Sequence, residues 1–169
     1  MHLRFRCYIC IAFLAVVWTI LPVPQVESYP RFSYDLGASA GTSQAGSFVE
    51  LNAAVNTDFN NWTRWRNAAF FREESEADDF YGLDSSLSFS RLIRLDRQMT
   101  VRPSAGAGYR FASRSNSNAP FGEAALTLDM GDFTLGLTGK YILHELVDDD
   151  REDEFIYGVA ISGRIGGRF

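Results

Sequence analysis

The sequence predicts an all-β fold, an eight-stranded antiparallel up-and-down transmembrane β-barrel. Three observations carry that reading. Eight segments of roughly ten residues alternate apolar with polar or small side chains, the period of two that a strand imposes. Most charged residues of those segments share the face that carries glycine, serine and threonine. The closing segment, Glu154 to Phe169, shows the division most clearly. Phe155, Tyr157, Val159, Ile161, Gly163, Ile165, Gly167 and Phe169 share one face, and Ile156, Gly158, Ala160, Ser162, Arg164, Gly166 and Arg168 the other. A strand with lipid on one side and a filled lumen on the other needs this division.

The opening stretch stands apart from the fold. Arg4 and Arg6 form a positive start, Cys7 to Leu21 is apolar, and Val26 and Ser28 sit at small-residue cleavage positions. The apolar run is roughly 15 residues, short of the ~20 that a spanning helix needs. Residues 1–28 therefore read as a cleaved signal peptide and 29–169 as a single barrel domain. Both cysteines, Cys7 and Cys10, lie in the leader, so residues 29–169 have neither disulfide nor thiol chemistry. Taking Arg4, Arg6 and Glu27 from 16 basic and 21 acidic residues leaves 14 and 20, a net charge of −6. That balance disfavours nucleic acid as a partner. Lys140 is the only lysine, which is unusual for a soluble secreted domain.

The first strand sets Phe32, Tyr34, Leu36, Ala38 and Ala40 outward against Ser33, Asp35, Gly37, Ser39 and Gly41. The second sets Val49, Leu51, Ala53, Val55 and Phe59 against Glu50, Asn52, Ala54 and Asn56. The third is the least regular. Thr63, Trp65, Ala69 and Phe71 face out and Arg64, Arg66, Ala68 and Arg72 in, but Trp62 and Phe70 then point inward and Asn67 outward. A bulge that shifts the register is expected there. The fourth sets Tyr81, Leu83, Ser85, Leu87 and Phe89 against Gly82, Asp84, Ser86, Ser88 and Ser90. The fifth sets Val101, Pro103, Ala105, Ala107, Tyr109 and Phe111 against Arg102, Ser104, Gly106, Gly108 and Arg110. Pro103 predicts a missing ladder bond, because a closed barrel has no edge to host it. The loop from Ser113 to Pro120 follows. The sixth sets Gly122, Ala124, Leu126, Leu128 and Met130 against Glu123, Ala125, Thr127 and Asp129, and turns at Gly131–Asp132. The seventh sets Phe133, Leu135, Leu137, Gly139, Tyr141 and Leu143 against Thr134, Gly136, Thr138 and Lys140.

Turns after strands two, four and six are mostly short, and those after three, five and seven longer and more polar. That asymmetry and the even strand count put both termini on the periplasmic side. Two aromatic girdles are expected: Phe32, Phe59, Phe133 and Phe169 low, and Phe71, Tyr81, Phe111, Tyr141 and Tyr157 high.

An eight-stranded barrel leaves an interior that side chains fill. The inward charges, Asp35, Glu50, Arg64, Arg66, Asp84, Arg102, Arg110, Glu123, Asp129, Lys140, Arg164 and Arg168, must then be paired or hydrated. Hairpin alignment suggests Arg66 with Asp84, Arg102 with Asp129, Arg110 and Lys140 with Glu123, and Asp35 with Arg164. Such a network plugs the lumen; a narrow or gated pore is the alternative.

The leader, eight alternating strands, polar lumen and terminal Phe169 resemble the small outer-membrane barrels of the OmpA/OmpX type. The resemblance covers residues 29–169 in architecture and rests on no family-specific motif. It implies a bacterial outer-membrane location, contact with outer-membrane lipid and lipopolysaccharide, and a monomer acting as a structural or surface-interaction protein. It also implies that Phe169, Ile165 and Ile161 form an insertion signal for the barrel-assembly machinery. Gly167 departs from that signal, where a larger apolar residue is usual.

Enzymes exist on this architecture. Lipid A deacylases place a His, a Ser and an acidic group at the outer rim, but His144 is followed by Glu145 and Leu146, without the His-x-Ser spacing. Palmitoyltransferases combine a rim histidine with an Asp–Ser pair and an N-terminal amphipathic helix. Asp84–Ser85 is a pair in sequence alone, and His144 reads as an interfacial side chain at a loop base. No catalytic residue, metal site or cofactor is assigned. The acidic loop from Glu145 to Glu154 reads as solvated, with divalent-cation binding as the alternative; it lacks the spacing of an EF-hand. A lipocalin-like soluble barrel would reverse the faces, and the shared placement of Arg102, Arg110, Glu123, Asp129 and Lys140 opposes it.

Overall fold

The computed structural model describes residues 30–44, 46–96, 99–130, 133–147 and 152–164. The expected signal peptide lies outside the described residues, as do Ile165, Gly167, Arg168, Phe169 and the Gly131–Asp132 turn. The strands are β1 (Arg31–Ser43), β2 (Gly46–Asp58), β3 (Thr63–Glu74), β4 (Phe80–Ser90), β5 (Ile93–Arg94), β6 (Thr100–Ala112), β7 (Ala119–Asp129), β8 (Thr134–Ile142) and β9 (Glu154–Arg164). Eight of them form a ring in which neighbours in the chain pair antiparallel. β4 pairs with β6, and β9 returns to β1. The two-residue β5 only lengthens the β4–β6 hairpin, with Ile93 opposite Val101. Closure leaves the eight-stranded ring without an edge. The end where β1 starts and β9 finishes is termed the terminal end, and the opposite end the far end.

The polarity of this barrel is inverted. Leu36, Leu51, Leu137 and Ile161 are exposed on the outer wall, whereas Glu50, Arg72, Asp84 and Arg110 are buried. The expected girdle residues Phe32, Phe59 and Phe133, and Phe71, Tyr81, Phe111, Tyr141 and Tyr157, all lie exposed on that wall. A soluble barrel with its apolar residues inside is thereby excluded as the architecture.

Local chemistry explains the connections. At the β1–β2 turn Gly46 has φ of 91°, a conformation glycine adopts without strain. At the β2–β3 turn Asn60 Oδ1 accepts from the amides of Trp62 and Thr63 at 2.9 and 2.8 Å, an Asx-type turn. Arg91 N donates to Pro103 O at 3.1 Å, and Pro103 has no N–H to return the bond. The ladder between the β4–β5 arm and β6 lapses there and resumes at Ile93 in the same register.

Two expectations need correction. The bulge in β3 is absent: Arg64 to Arg72 pair one-to-one with both β2 and β4. Phe70 does point inward and is buried, Trp62 sits exposed in the turn, and Asn67 stands on the outer wall. The irregular pattern reflects an aromatic inside and an amide outside, with no shift of register. The loop expected through Pro120 ends sooner, because Ala119 to Phe121 already pair with β6. With β3 and β7 longer than expected, the loops at the far end are correspondingly shorter.

Candidate functional site

The interior divides into two halves. In the far half, Phe48, Phe70 and Phe121 all point inward and are buried. Each stands directly opposite a glycine on the neighbouring strand: Gly41 for Phe48, Gly82 for Phe70 and Gly108 for Phe121. A Cβ on Gly82 or Gly108 would lie 2.7 Å from the facing ring, so the absent side chains make room for the aromatics. Phe48 and Phe121 join Ala119, Ile142 and Ile156 in one apolar cluster. Phe80, from the far end of β4, packs edge-on against Phe70 at 5.9 Å.

Threaded between these rings is a chain of charges. The Arg72 guanidinium lies 3.7 Å from the Phe48 ring centroid and 5.1 Å from that of Phe80. It donates to Glu154 at 2.7 Å and to Glu50 at 3.3 Å, with Glu74 at 3.5 Å. Glu50 also accepts from Arg110 at 3.1 Å. Arg110 forks onto Asp84 with two bonds of 2.8 Å and stacks 3.9 Å over Phe70. Lys140 completes the chain on Asp84, and Arg114 pairs with Glu74 at 3.0 Å. Four cations meet four carboxylates, drawn from β2, β3, β4, β6, β8 and β9 and the loop beyond β6. The side chains of Glu50, Arg72, Glu74, Asp84, Arg110 and Glu154 are 0–2% exposed. Charges buried so deeply persist only when hydrogen-bonded to opposite charge.

The terminal half is looser. Arg64 forks onto Asp58 at 2.6 and 3.1 Å, and Arg102 stands 3.8 Å from the same carboxylate. Arg66 donates to Asp35 at 3.3 Å and to Asn52 at 3.2 Å. These ionic side chains are 10–23% exposed. A cavity of about 90 Å³ lies here, lined by Asp35, Asn52, Arg66, Glu123, Thr138 and Lys140 among others. That is well above the ~10–15 Å³ that a single water requires, so the cavity can be hydrated.

Several expected pairs differ from those observed. Arg66 engages Asp35, and Asp84 instead takes Arg110 and Lys140. Glu123, the expected partner of Arg110 and Lys140, accepts from Ser86 Oγ at 2.7 Å. Arg102 reaches Asp58 among its contacts, and Asp129 stands diagonal to it on the neighbouring β7, two residues beyond Thr127, as expected for hairpin neighbours. The register accounts for part of this. Ala68, not Arg66, stands opposite Asp84, and Ala119 opposite Arg110. Lys140 does stand opposite Glu123, yet its long side chain crosses the narrow bore to Asp84. Backbone pairing places Arg164 beside Ser33; its side chain and that of Arg168 lie outside the description. Of the expected insertion signal, Ile161 is described, exposed on the outer wall.

Sequence reasoning left Arg72, Glu74, Arg114, His144 and Glu154 out of the network. Period-two parity already set Arg72 inward and placed Glu154, the first residue of the closing segment, on the same face as Ile156, and carrying β3 on to Glu74 would have added that residue. His144 is buried at 1% exposure rather than interfacial. Its Nε2 lies 3.5 Å from Glu154, and among the described residues neither ring nitrogen makes a hydrogen bond. Asp84 points into the lumen and Ser85 to the outer wall, so that sequence pair does not meet at one site. Glu154, counted in the acidic loop, belongs to the lumen, and residues 148–151 of that loop lie outside the description. Among the described residues no cluster of three or more His, Cys, Asp or Glu side chains is arranged to hold a metal.

No protein-family model matches this chain, and no curated protein does. Solved structures do. A de novo designed transmembrane β-barrel superposes with a TM-score of 0.56 at 11% identity, over 83% of this chain and all of its own. The outer membrane enzyme PagL gives 0.55 at 12% identity, over 78% of this chain and 99% of PagL. Neisserial surface protein A gives 0.54 at 9% identity, over 79% of this chain and 96% of that one. These neighbours include both an enzyme and a surface protein, so the likeness is one of architecture: the chain has the fold of the small eight-stranded transmembrane β-barrels.

Proposed function

We propose that this chain is an integral protein of the bacterial outer membrane, with a lumen closed by its own ion pairs, acting as a structural or surface-interaction protein. The observation that carries the closed lumen is the far half, where Arg72 lies against the Phe48 and Phe80 rings and Arg110 stacks on Phe70, with both guanidiniums held by carboxylates. To open a path there, two forked or bridged guanidiniums would have to leave their partners inside a low-dielectric bore. The cavity below favours the alternative, a gated pore, only if those pairs exchange.

Catalysis is not part of this reading. His144, the one histidine of residues 29–169, is almost wholly covered and faces Glu154 within the far end. A lipid substrate would need an exposed base. Both termini are assigned to the periplasm, which leaves the acidic loops facing outward toward lipopolysaccharide. The barrel-assembly machinery is the partner assigned for insertion.

Membrane fractionation tests the location: the protein should require detergent and migrate faster unboiled than boiled. A periplasmic soluble form would overturn it. An epitope tag after Phe169 should resist labelling on intact cells, whereas one in the loop around Glu76 should be accessible. A deletion strain should show altered detergent sensitivity or surface binding; unchanged behaviour in both would count against the assigned role.

A further inference from the structure

Lipid-facing walls should be apolar at mid-height, and this one is interrupted. Asn67 and Ser85 stand side by side on the outer wall, directly paired between β3 and β4. Ser85 lies four residues from Tyr81 towards the far end and four from Phe89 towards the terminal end. At ~3.3 Å per residue and a tilt of about 40°, it is about 10 Å in height from each. The pair thus sits in the middle of the apolar band. Ser85 Oγ accepts from the Trp65 indole at 3.0 Å, which leaves its own proton to donate. The Asn67 carboxamide makes no hydrogen bond among the described residues. An amide facing hydrocarbon without a partner is costly, and acyl chains offer neither donor nor acceptor.

The neighbouring surface permits close approach. Ala53 and Ala69 are cross-strand partners next to Asn67, both exposed, and form a shallow step beside Leu51, Phe71 and Leu83. A carboxamide carries both a donor and an acceptor. Two identical amides related by a two-fold axis therefore satisfy each other reciprocally, and two alanine steps let the walls meet.

We infer that the β2–β4 wall is the contact surface for a second copy of this chain in the membrane, with Asn67 of each copy pairing across the two-fold. This departs from the monomer expected from sequence. It rests on the membrane location proposed above, and its test separates the two.

Two differently tagged copies of the full chain are co-expressed, each with a photo-crosslinking amino acid in place of the exposed Leu83, which stands opposite Ala69, and irradiated in membranes purified by flotation. A mixed-tag adduct should form at position 83 and not at position 137, on the opposite wall. The Asn67→Leu substitution should weaken association roughly 3- to 30-fold, whereas Asn67→Gln retains it. Unboiled gel migration confirms that each variant is folded. An adduct with another protein, no adduct at position 83, or one unmoved by Asn67→Leu would overturn the dimer while leaving the membrane location intact. Absence from the floated fraction would overturn both.

Discussion

The two halves of the lumen use the same residue types to different ends. In the far half, Arg72, Arg110 and the carboxylates that hold them are 0–2% exposed and packed on phenylalanine rings. In the terminal half, similar pairs are 10–23% exposed and border a cavity. Desolvation makes the difference. A charge that keeps contact with water loses little when its partner is removed, whereas a dry one is left stranded. The far half is therefore the structural lock, and the terminal half is closer to a hydrated vestibule. The glycines opposite Phe48, Phe70 and Phe121 are what allow the lock to be dry.

Substitutions that remove one partner should break this contrast most visibly. Arg72→Met leaves Glu50, Glu74 and Glu154 short of a cation, and unfolding in lipid vesicles should show a loss of about 3–5 kcal/mol. The outer wall should respond next. Leu137→Arg, on the apolar face of β8, should cost about 2–4 kcal/mol in vesicles by urea titration. Gly82→Val pushes its side chain against the Phe70 ring and the Phe111 carbonyl. Overpacking there should cost about 1–3 kcal/mol and shift the unfolding midpoint downward. The smallest effect belongs to the terminal half. Arg66→Ala removes a partly exposed pair with Asp35 and should change stability by about 1 kcal/mol or less. A loss for Arg66→Ala as large as that for Arg72→Met would erase the distinction between the halves.

Much of this was legible from period two alone. The parity of β1, β2, β4, β8 and β9 assigned the lipid and lumen faces residue by residue, because closure gives every strand the same two environments. Pairing partners were less legible. Strand neighbours follow from register, but a long lysine such as Lys140 in a narrow bore chooses among carboxylates on several strands. Three-dimensional proximity, which alternation does not encode, decides that choice. Phe70 and Asn67 show the other limit. Both broke the pattern, and a bulge was the simplest local repair. The structure keeps the register and gives each a separate reason: Phe70 fills the space above Gly82, and Asn67 marks the wall where a second copy is inferred. His144 lay within reach of the same parity argument, since it continues the inward series Lys140 and Ile142 beyond the end of β8.

The claim that matters most is that the far half seals the bore, and single-channel recording in planar lipid bilayers tests it most directly. The wild-type chain should insert and remain electrically silent, whereas a folded variant with Phe48→Ala and Arg72→Ala together should admit current. Steady conductance steps from the wild type, of the same size in that double variant, would show that ions pass without regard to the Arg72 cluster and would contradict the account.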